Sequence, residues 1–203
     1  MTYDATRHHR RSIRLPAHDY GQAGAYFMTI CTQCRECLFG AVVARKMVLN
    51  EPGRMVETVW RELPQHYGGV EVDALVVMPN HVHGIIMLVG AGPCARPDNP
   101  GQPQGVAPTR GMSLPDVVHR FKSLTTARYR RGVIRDGWLP FPGRLWQRNY
   151  YEHVIRDDGE LNEIRRYITD NPARWAEDRE NPTNAGAGPR ACPDMEDVTC
   201  RTP

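Results

Sequence analysis

An α+β domain with an antiparallel sheet is predicted for this chain, on three observations. Two apolar segments, Val70–Val77 and His81–Leu88, are joined by a tight Pro79-Asn80 link, too short for anything but antiparallel neighbours. Three stretches carry apolar residues at helical spacing. The signals run in the order strand, helix, strand, strand, helix, possible strand, helix, which suggests a ferredoxin-like sheet with helices on one face. With 203 residues, 40% of them apolar, one core is expected.

The elements follow from local chemistry. Residues 26–32, YFMTICT, are β-branched and aromatic and read as the first strand. From Asn50, the positions Met55, Val56, Val59 and Leu63 mark a helix that tolerates Pro52 in its first turn. After the strand pair, residues 90–110 are dense in Gly and Pro and read as a flexible inserted loop. Ser113 with Asp116 resembles a capping box, opening a helix whose apolar positions are Leu114, Val117, Val118, Phe121 and Leu124. The text RLWQRNYYEHVIR leads to a last helix that Asp157 and Asp158 suit as a start and Pro172 as a stop. Three regions result: a basic arm over residues 1–22, a folded domain over 23–175 and a disordered tail over 176–203.

The net charge of +3 is unevenly spread. Arg7, Arg10, Arg11 and Arg14 of the arm face one acid, Asp4, and residues 110–135 hold seven basic residues against Asp116. No apolar run approaches the roughly 18 to 20 residues of a membrane span, and no apolar stretch follows the charged start, so a cytoplasmic protein is expected. Six cysteines then read as thiols. Cys31, Cys34 and Cys37 form a C-x-x-C-x-x-C run that could hold a metal or cluster, but it begins at the end of an apolar strand and lacks a fourth ligand at cluster spacing.

The segment MPNHVHGIIML carries the chemistry. Side chains alternate along a strand, so His81 and His83 point one way and Val82 the other. Such a pair can decorate a strand start, or it can deliver two imidazole nitrogens to one ion. Its place beside a hairpin turn in the most apolar segment favours the second reading, because buried polar groups need partners. On the last helix Leu161, Ile164 and Ile168 form the core stripe, with Tyr167 at its border and Asn171 one turn further along. Asn171 precedes Pro172, which puts its amide oxygen at the helix end, free to ligate an oxygen-preferring ion. Two histidines, an amide and open positions suit Mg²⁺ or Mn²⁺ holding a phosphate, and a nearby tyrosine suits attack on it. Phosphoryl transfer is the chemistry expected. A zinc hydrolase built on H-x-H would need further ligands that are not evident.

The histidine block, the downstream WQRNYYEHVIRD, the YITDNPARW segment and the opening RRSIRLPAHDYGQAGAYFMTICTQCRECLFG together resemble the REP-associated tyrosine transposases, a branch of the single-tyrosine HUH transposases. The likeness runs from about Arg10 to Trp175. It implies an HUH nuclease fold and cleavage and joining of single-stranded DNA through a 5′-phosphotyrosine. His81 and His83 would be metal ligands, Tyr167 the nucleophile and Asn171 the third ligand, four positions on. Tyr150 and Tyr151 compete for the nucleophile's role but lack an amide four residues later, and read as packing or base-stacking residues. Nothing local decides a role for His153. The long insertion after the histidine strand departs from the family pattern.

DNA phosphates need cationic partners. Arg7, Arg10, Arg11 and Arg14 of the arm are expected at the foot of a DNA hairpin, and Arg120, Lys122, Arg128, Arg130 and Arg131 lie off the apolar stripe of their helix, as DNA contacts or a solvated face. Trp146, Tyr150 and Tyr151 offer aromatic faces to unpaired bases. The expected partner is single-stranded or hairpin DNA near the nucleoid, bound by a monomer or homodimer. A regulator that binds the hairpin without cutting it is the alternative.

Overall fold

The computed structural model describes residues 19–89 and 112–184. The four arm arginines, Arg7, Arg10, Arg11 and Arg14, the expected 90–110 loop and the tail beyond residue 184 lie outside the described residues. In chain order the described elements are β1 (Gly24–Cys31), β2 (Gly40–Val43), β3 (Lys46–Leu49), α1 (Glu51–His66), β4 (Val70–Val77), β5 (His81–Leu88), α2 (Leu114–Arg135), β6 (Tyr151–Ile155) and α3 (Asp158–Asp170). A 3₁₀ turn, Asn171–Glu177, continues directly from α3.

Each helix start is satisfied by a short polar side chain. The Asn50 amide oxygen accepts the Gly53 N–H at 2.9 Å, the Asp116 carboxylate accepts the Ser113 N–H at 3.1 Å, and the Asp157 carboxylate accepts the Glu160 N–H at 2.9 Å. The main sheet has the order β4-β5-β1-β6, with every adjacent pair antiparallel. Since β4 and β1 both run against β5, they are parallel to each other with β5 between them, and β5 and β6 flank β1 likewise. Two interleaved β-α-β units result, which is the ferredoxin-like arrangement.

The alternation of β1 and β5 divides the interior into two layers. Tyr26, Met28 and Ile30 join Val82, Ile86 and Leu88 against α1 and α2, where Val56, Val59, Trp60, Leu63, Val117 and Phe121 complete the main core. On the opposite face Phe27 and Ile85 meet Ile168, Leu161 and Ile164 of α3. The expectation of helices on one face is therefore corrected. Periodicity identifies the apolar stripe of α3 but not the layer it covers, and here the second face of the sheet is itself apolar and requires a cover.

The sequence reading also missed the β2–β3 hairpin. Its two-residue turn is Ala44-Arg45, both left-handed at φ 48° and 64°, where Gly or Asn is the usual signal.

Gly84 sets the spacing between sheet and helix layer. A Cβ there would stand 2.5 Å from the Trp60 ring, so the indole lies directly on the backbone of β5, one residue from His83. Gly84→Ala is expected to overpack this contact and destabilise the protein by about 1–3 kcal/mol, measured as a lowered midpoint of urea unfolding; an unchanged midpoint would show that the layer yields.

Candidate metal and nucleophile site

β5 begins at the sheet's centre, between β4 and β1, and opens with the histidine pair. His81 is fully buried and His83 is 4% exposed. They share a face with Thr29 and Cys31 of β1, to which they are paired in register. The two Nε2 atoms lie 3.0 Å apart.

Their outer nitrogens are oriented by neighbours. Asn80 donates both amide hydrogens to carbonyls, of Arg35 at 3.1 Å and Glu180 at 2.7 Å, so its oxygen is what faces His81 Nδ1 at 2.8 Å. Nδ1 of His81 therefore carries the proton and donates, and Nε2 carries the lone pair. Thr29 Oγ1 lies 2.8 Å from His83 Nδ1 and, as a hydroxyl, serves either tautomer. Burial pushes His83 down to about 4, and burial, then His83 and Arg35, holds His81 well below its ordinary value. Both rings are neutral at pH 7, the form that binds metal.

α3 crosses this face and is held there by two side-chain pairs. Arg165 grips Asp73 of β4 at 2.6 Å, and His153 of β6, whose role the sequence left open, pairs with Glu160 at 2.6 Å. The last turn presents Tyr167, its hydroxyl 3.5 Å from His83 Nε2 and its ring edge-on to Phe27 at 5.9 Å. Tyr167 is 42% exposed, whereas Asn171 behind it is buried, with an Oδ1 that has no hydrogen-bond partner among the described residues. Burial, then Asp178, raises the phenol's pKa against the opposing pull of the Asn171 amide, so the hydroxyl keeps its proton at neutral pH. A cleft of about 530 Å³ opens here, lined by Phe27, Thr29, His83, Tyr151, Tyr167 and Asn171 with residues of the following segment.

That segment was expected to begin an unstructured tail at residue 176, yet the described chain continues in contact through residue 184. Trp175 tilts over His81 at 6.0 Å, Asp178 Oδ2 comes within 3.7 Å of His81 Nε2, and Glu180 pairs with Arg35 at 2.9 Å. Among the described residues His81, His83 and Asp178 are the His, Cys and acidic side chains grouped closely enough for an ion. The cysteine run forms no such group: Cys31 and Cys37 are free, and Cys34, expected as a thiol, is disulfide-bonded.

The sequence-predicted DNA residues separate. Trp146 is buried at 4% exposure within the main core, its indole N–H donating to Thr125 Oγ1, and it borders a second cleft. Lys122 is turned inward, its ammonium donating to the carbonyls of Gln147, Arg148 and Asn149 at 2.9 to 3.3 Å, and burial lowers its pKa to about 8. Arg128 is bound to Glu62 of α1 at 2.6 Å. All three are engaged within the fold, and an amphipathic pattern cannot tell a solvated cation from one held by a neighbour, although Lys122 and Trp146 also line the second cleft. Arg120 and Arg131 are exposed, Arg120 near Tyr67 at 5.9 Å, and Tyr150 lies under Lys122 at 5.3 Å. Tyr151 is 51% exposed at the cleft. The second cleft, also of about 530 Å³, is lined further by His119, Arg130, Arg144 and Arg148 with Ser123 and Thr126. Arg144 and Arg148 were missed; they lie in the quoted RLWQRN text, where alternation with aromatics was the signal available.

A strand-borne histidine pair and a helix-borne tyrosine thus meet on one face of the ferredoxin-like sheet. No family model matches the chain. It is 40% identical over 182 residues to an uncharacterised protein of Haemophilus influenzae, covering 87% of this chain and 96% of that one. It is 26% identical over 157 residues, 77% of this chain and 74% of the other, to an H. influenzae protein assigned by name to the REP-associated tyrosine transposases. The chain belongs to the family of the first protein, and the second places it among the relatives of the REP-associated tyrosine transposases. Solved structures resemble it at 18% identity. One, of a REP-associated tyrosine transposase bound to a REP hairpin, has a TM-score of 0.48 over 80% of this chain and 74% of that one. Another, a transposase-like protein from Deinococcus radiodurans, has a TM-score of 0.41 over 78% and 97%. No helix of the described residues is long and apolar enough to cross a membrane.

The buried imidazoles make stability depend on pH. Below about pH 6.5 the unfolded chain protonates these rings and the folded chain does not, so the unfolded state binds more protons. Stability is full above that pH and is lost as pH falls towards about 4, the His83 value. Chelator-treated protein is expected to lose on the order of 3 kcal/mol across this window from His83 alone, read from denaturant melts at several pH values. His83→Gln should flatten the profile; an equally steep profile in that variant would assign the dependence elsewhere.

Proposed function

We propose that this chain cleaves and rejoins single-stranded DNA beside a hairpin, with Tyr167 as nucleophile and a Mg²⁺ or Mn²⁺ ion held by His81, His83 and Asn171. The observation that carries this reading is the Tyr167 hydroxyl 3.5 Å from a neutral, buried His83 at the mouth of an open cleft. The donor set fits a hard divalent ion: two neutral imidazoles whose Nε2 atoms converge, and a buried amide oxygen without a partner. When bound, such an ion supplies polarisation of the scissile phosphate and shares the charge that builds on it.

The residues of the chain do the rest. Tyr167 Oη attacks the phosphorus, the bond from phosphorus to the 3′ oxygen breaks, and that oxygen takes a proton in exchange for the one the phenol gives up. The products are a 5′-phosphotyrosine and a free 3′-hydroxyl, whose return attack reverses the step without loss of a high-energy bond. Phe27 holds the Tyr167 ring edge-on, limiting its rotation while leaving its oxygen exposed. Tyr151 presents an open aromatic face on the same cleft for an unpaired base. The segment 144–151 joins the two clefts, contributing Arg144 and Arg148 to the basic one and Tyr151 to the other, and so marks a path for the strand. A tyrosine nucleophile and DNA strand transfer are supported by the name of the 26%-identical relative, a REP-associated tyrosine transposase.

Incubation of a labelled single-stranded hairpin with Mn²⁺ is expected to yield a covalent DNA–protein adduct. Tyr167→Phe should lower it roughly 10³-fold or more, while Tyr150→Phe and Tyr151→Phe retain it; an adduct that survives Tyr167→Phe would overturn the assignment. Replacing Arg144 and Arg148 together by Ala should weaken hairpin binding and reduce the slope of log affinity against log salt by about 1 to 2. Binding isotherms at several salt concentrations that overlay wild type would remove the second cleft from the DNA path.

A further inference from the structure

We propose that Asp178, delivered by the segment after α3, is a further ligand of the same divalent ion. The inference deepens the metal reading above and rests on it. Ligand atoms of His81, His83 and Asp178 lie within 4.8 Å of one another. The two Nε2 atoms are 3.0 Å apart; neighbouring ligands of an octahedral ion at about 2.1 Å are separated by about 3 Å. Asp178 Oδ2 stands 3.7 Å from His81 Nε2, too far for a hydrogen bond. What keeps the carboxylate there is its other oxygen. Oδ1 accepts the Glu180 N–H at 2.7 Å, which leaves Oδ2 facing the imidazoles.

The segment is latched to the end of β1, to the turn after it and to the residue that precedes the histidines. The Glu180 carboxylate is bound by Arg35 at 2.9 Å and by the Cys31 thiol at 3.4 Å. Its carbonyl accepts from Asn80, the same amide that sets the tautomer of His81. One side chain thus positions both a nitrogen ligand and the backbone that aims the carboxylate.

A second, independent observation comes from the other end of the segment. Asn171 Oδ1 is buried and unpartnered among the described residues, on the same cleft. An orphaned acceptor and a pinned carboxylate both line the cleft that His83 lines, and a cation satisfies both. It also removes a conflict, since a carboxylate beside the nucleophile would otherwise repel the scissile phosphate. Two nitrogens and two oxygens leave open positions for water and phosphate oxygen, as Mg²⁺ and Mn²⁺ prefer.

The test is Mn²⁺ binding to the full chain without DNA, followed by titration of the free-ion EPR signal for wild type, His83→Ala and Asp178→Asn. Asparagine keeps an oxygen for the Glu180 N–H. The expected result is binding by wild type, loss in His83→Ala, and affinity weakened roughly 10- to 100-fold in Asp178→Asn, with its metal-free melting temperature unchanged. Wild-type affinity in Asp178→Asn, alongside loss in His83→Ala, overturns the Asp178 ligand and leaves the metal reading standing. Absence of binding by wild type overturns both. Direct ligation is read separately by Asp178→Cys, expected to increase the cadmium–thiolate ultraviolet absorbance above the level that the chain's own cysteines, Cys31 and Cys37 among them, give in wild type and in Asp178→Ser; no added absorbance counts against the proposal.

Discussion

The structure turns on one constraint: two imidazoles are buried side by side at the start of the central strand, and each of their ring nitrogens needs a partner. Burial alone would leave four ring nitrogens in search of partners, at a cost of a few kcal/mol for each one unmet. Asn80 and Thr29 take the outer two, and the inner two face each other. Orientation and protonation are thus decided together, since the bond that holds a ring also decides which nitrogen keeps its proton.

The rest of the fold serves that arrangement from two sides. Behind β5, Trp60 lies on the backbone at Gly84 and makes the strand part of a rigid layer. In front, Phe27 stacks on His83 at 5.5 Å and meets Tyr167 edge-on, so one aromatic ring sets the spacing between imidazole and phenol. α3 reaches this position through contacts at its first turn and its middle, to β6 through His153 and to β4 through Arg165. The tyrosine is exposed but not loose. Its amide neighbour four residues on is buried beneath it.

Charge is divided between structure and surface in a way composition hides. Lys122 and Arg128 look like members of a basic helical face, yet each is spent on an internal partner, the first caging three carbonyls and the second bridging two helices. The carbonyl cage orders the segment that carries Arg148, so a buried cation helps place an exposed one. On the opposite side of the ledger, acids of the segment after α3 crowd Tyr167, and Asp178 and Glu180 are held there by specific bonds.

Much of the domain was legible in residue order. The tight link between two apolar runs, the helical spacing of Val56, Val59 and Leu63, and the short polar caps are local properties, and β4, β5 and the three helices fall where they indicate. Strand alternation made His81 and His83 a pair on one face, and helical rotation put Tyr167 beside Asn171. What distance along the chain could not supply was which layer each stripe covers and which charges meet. α3 covers the second face because the sheet is apolar on both, a property of assembled strands. Trp146 is core, and Asp178 arrives at His81 from 97 positions away, because partners far apart in sequence are chosen by packing, not by pattern.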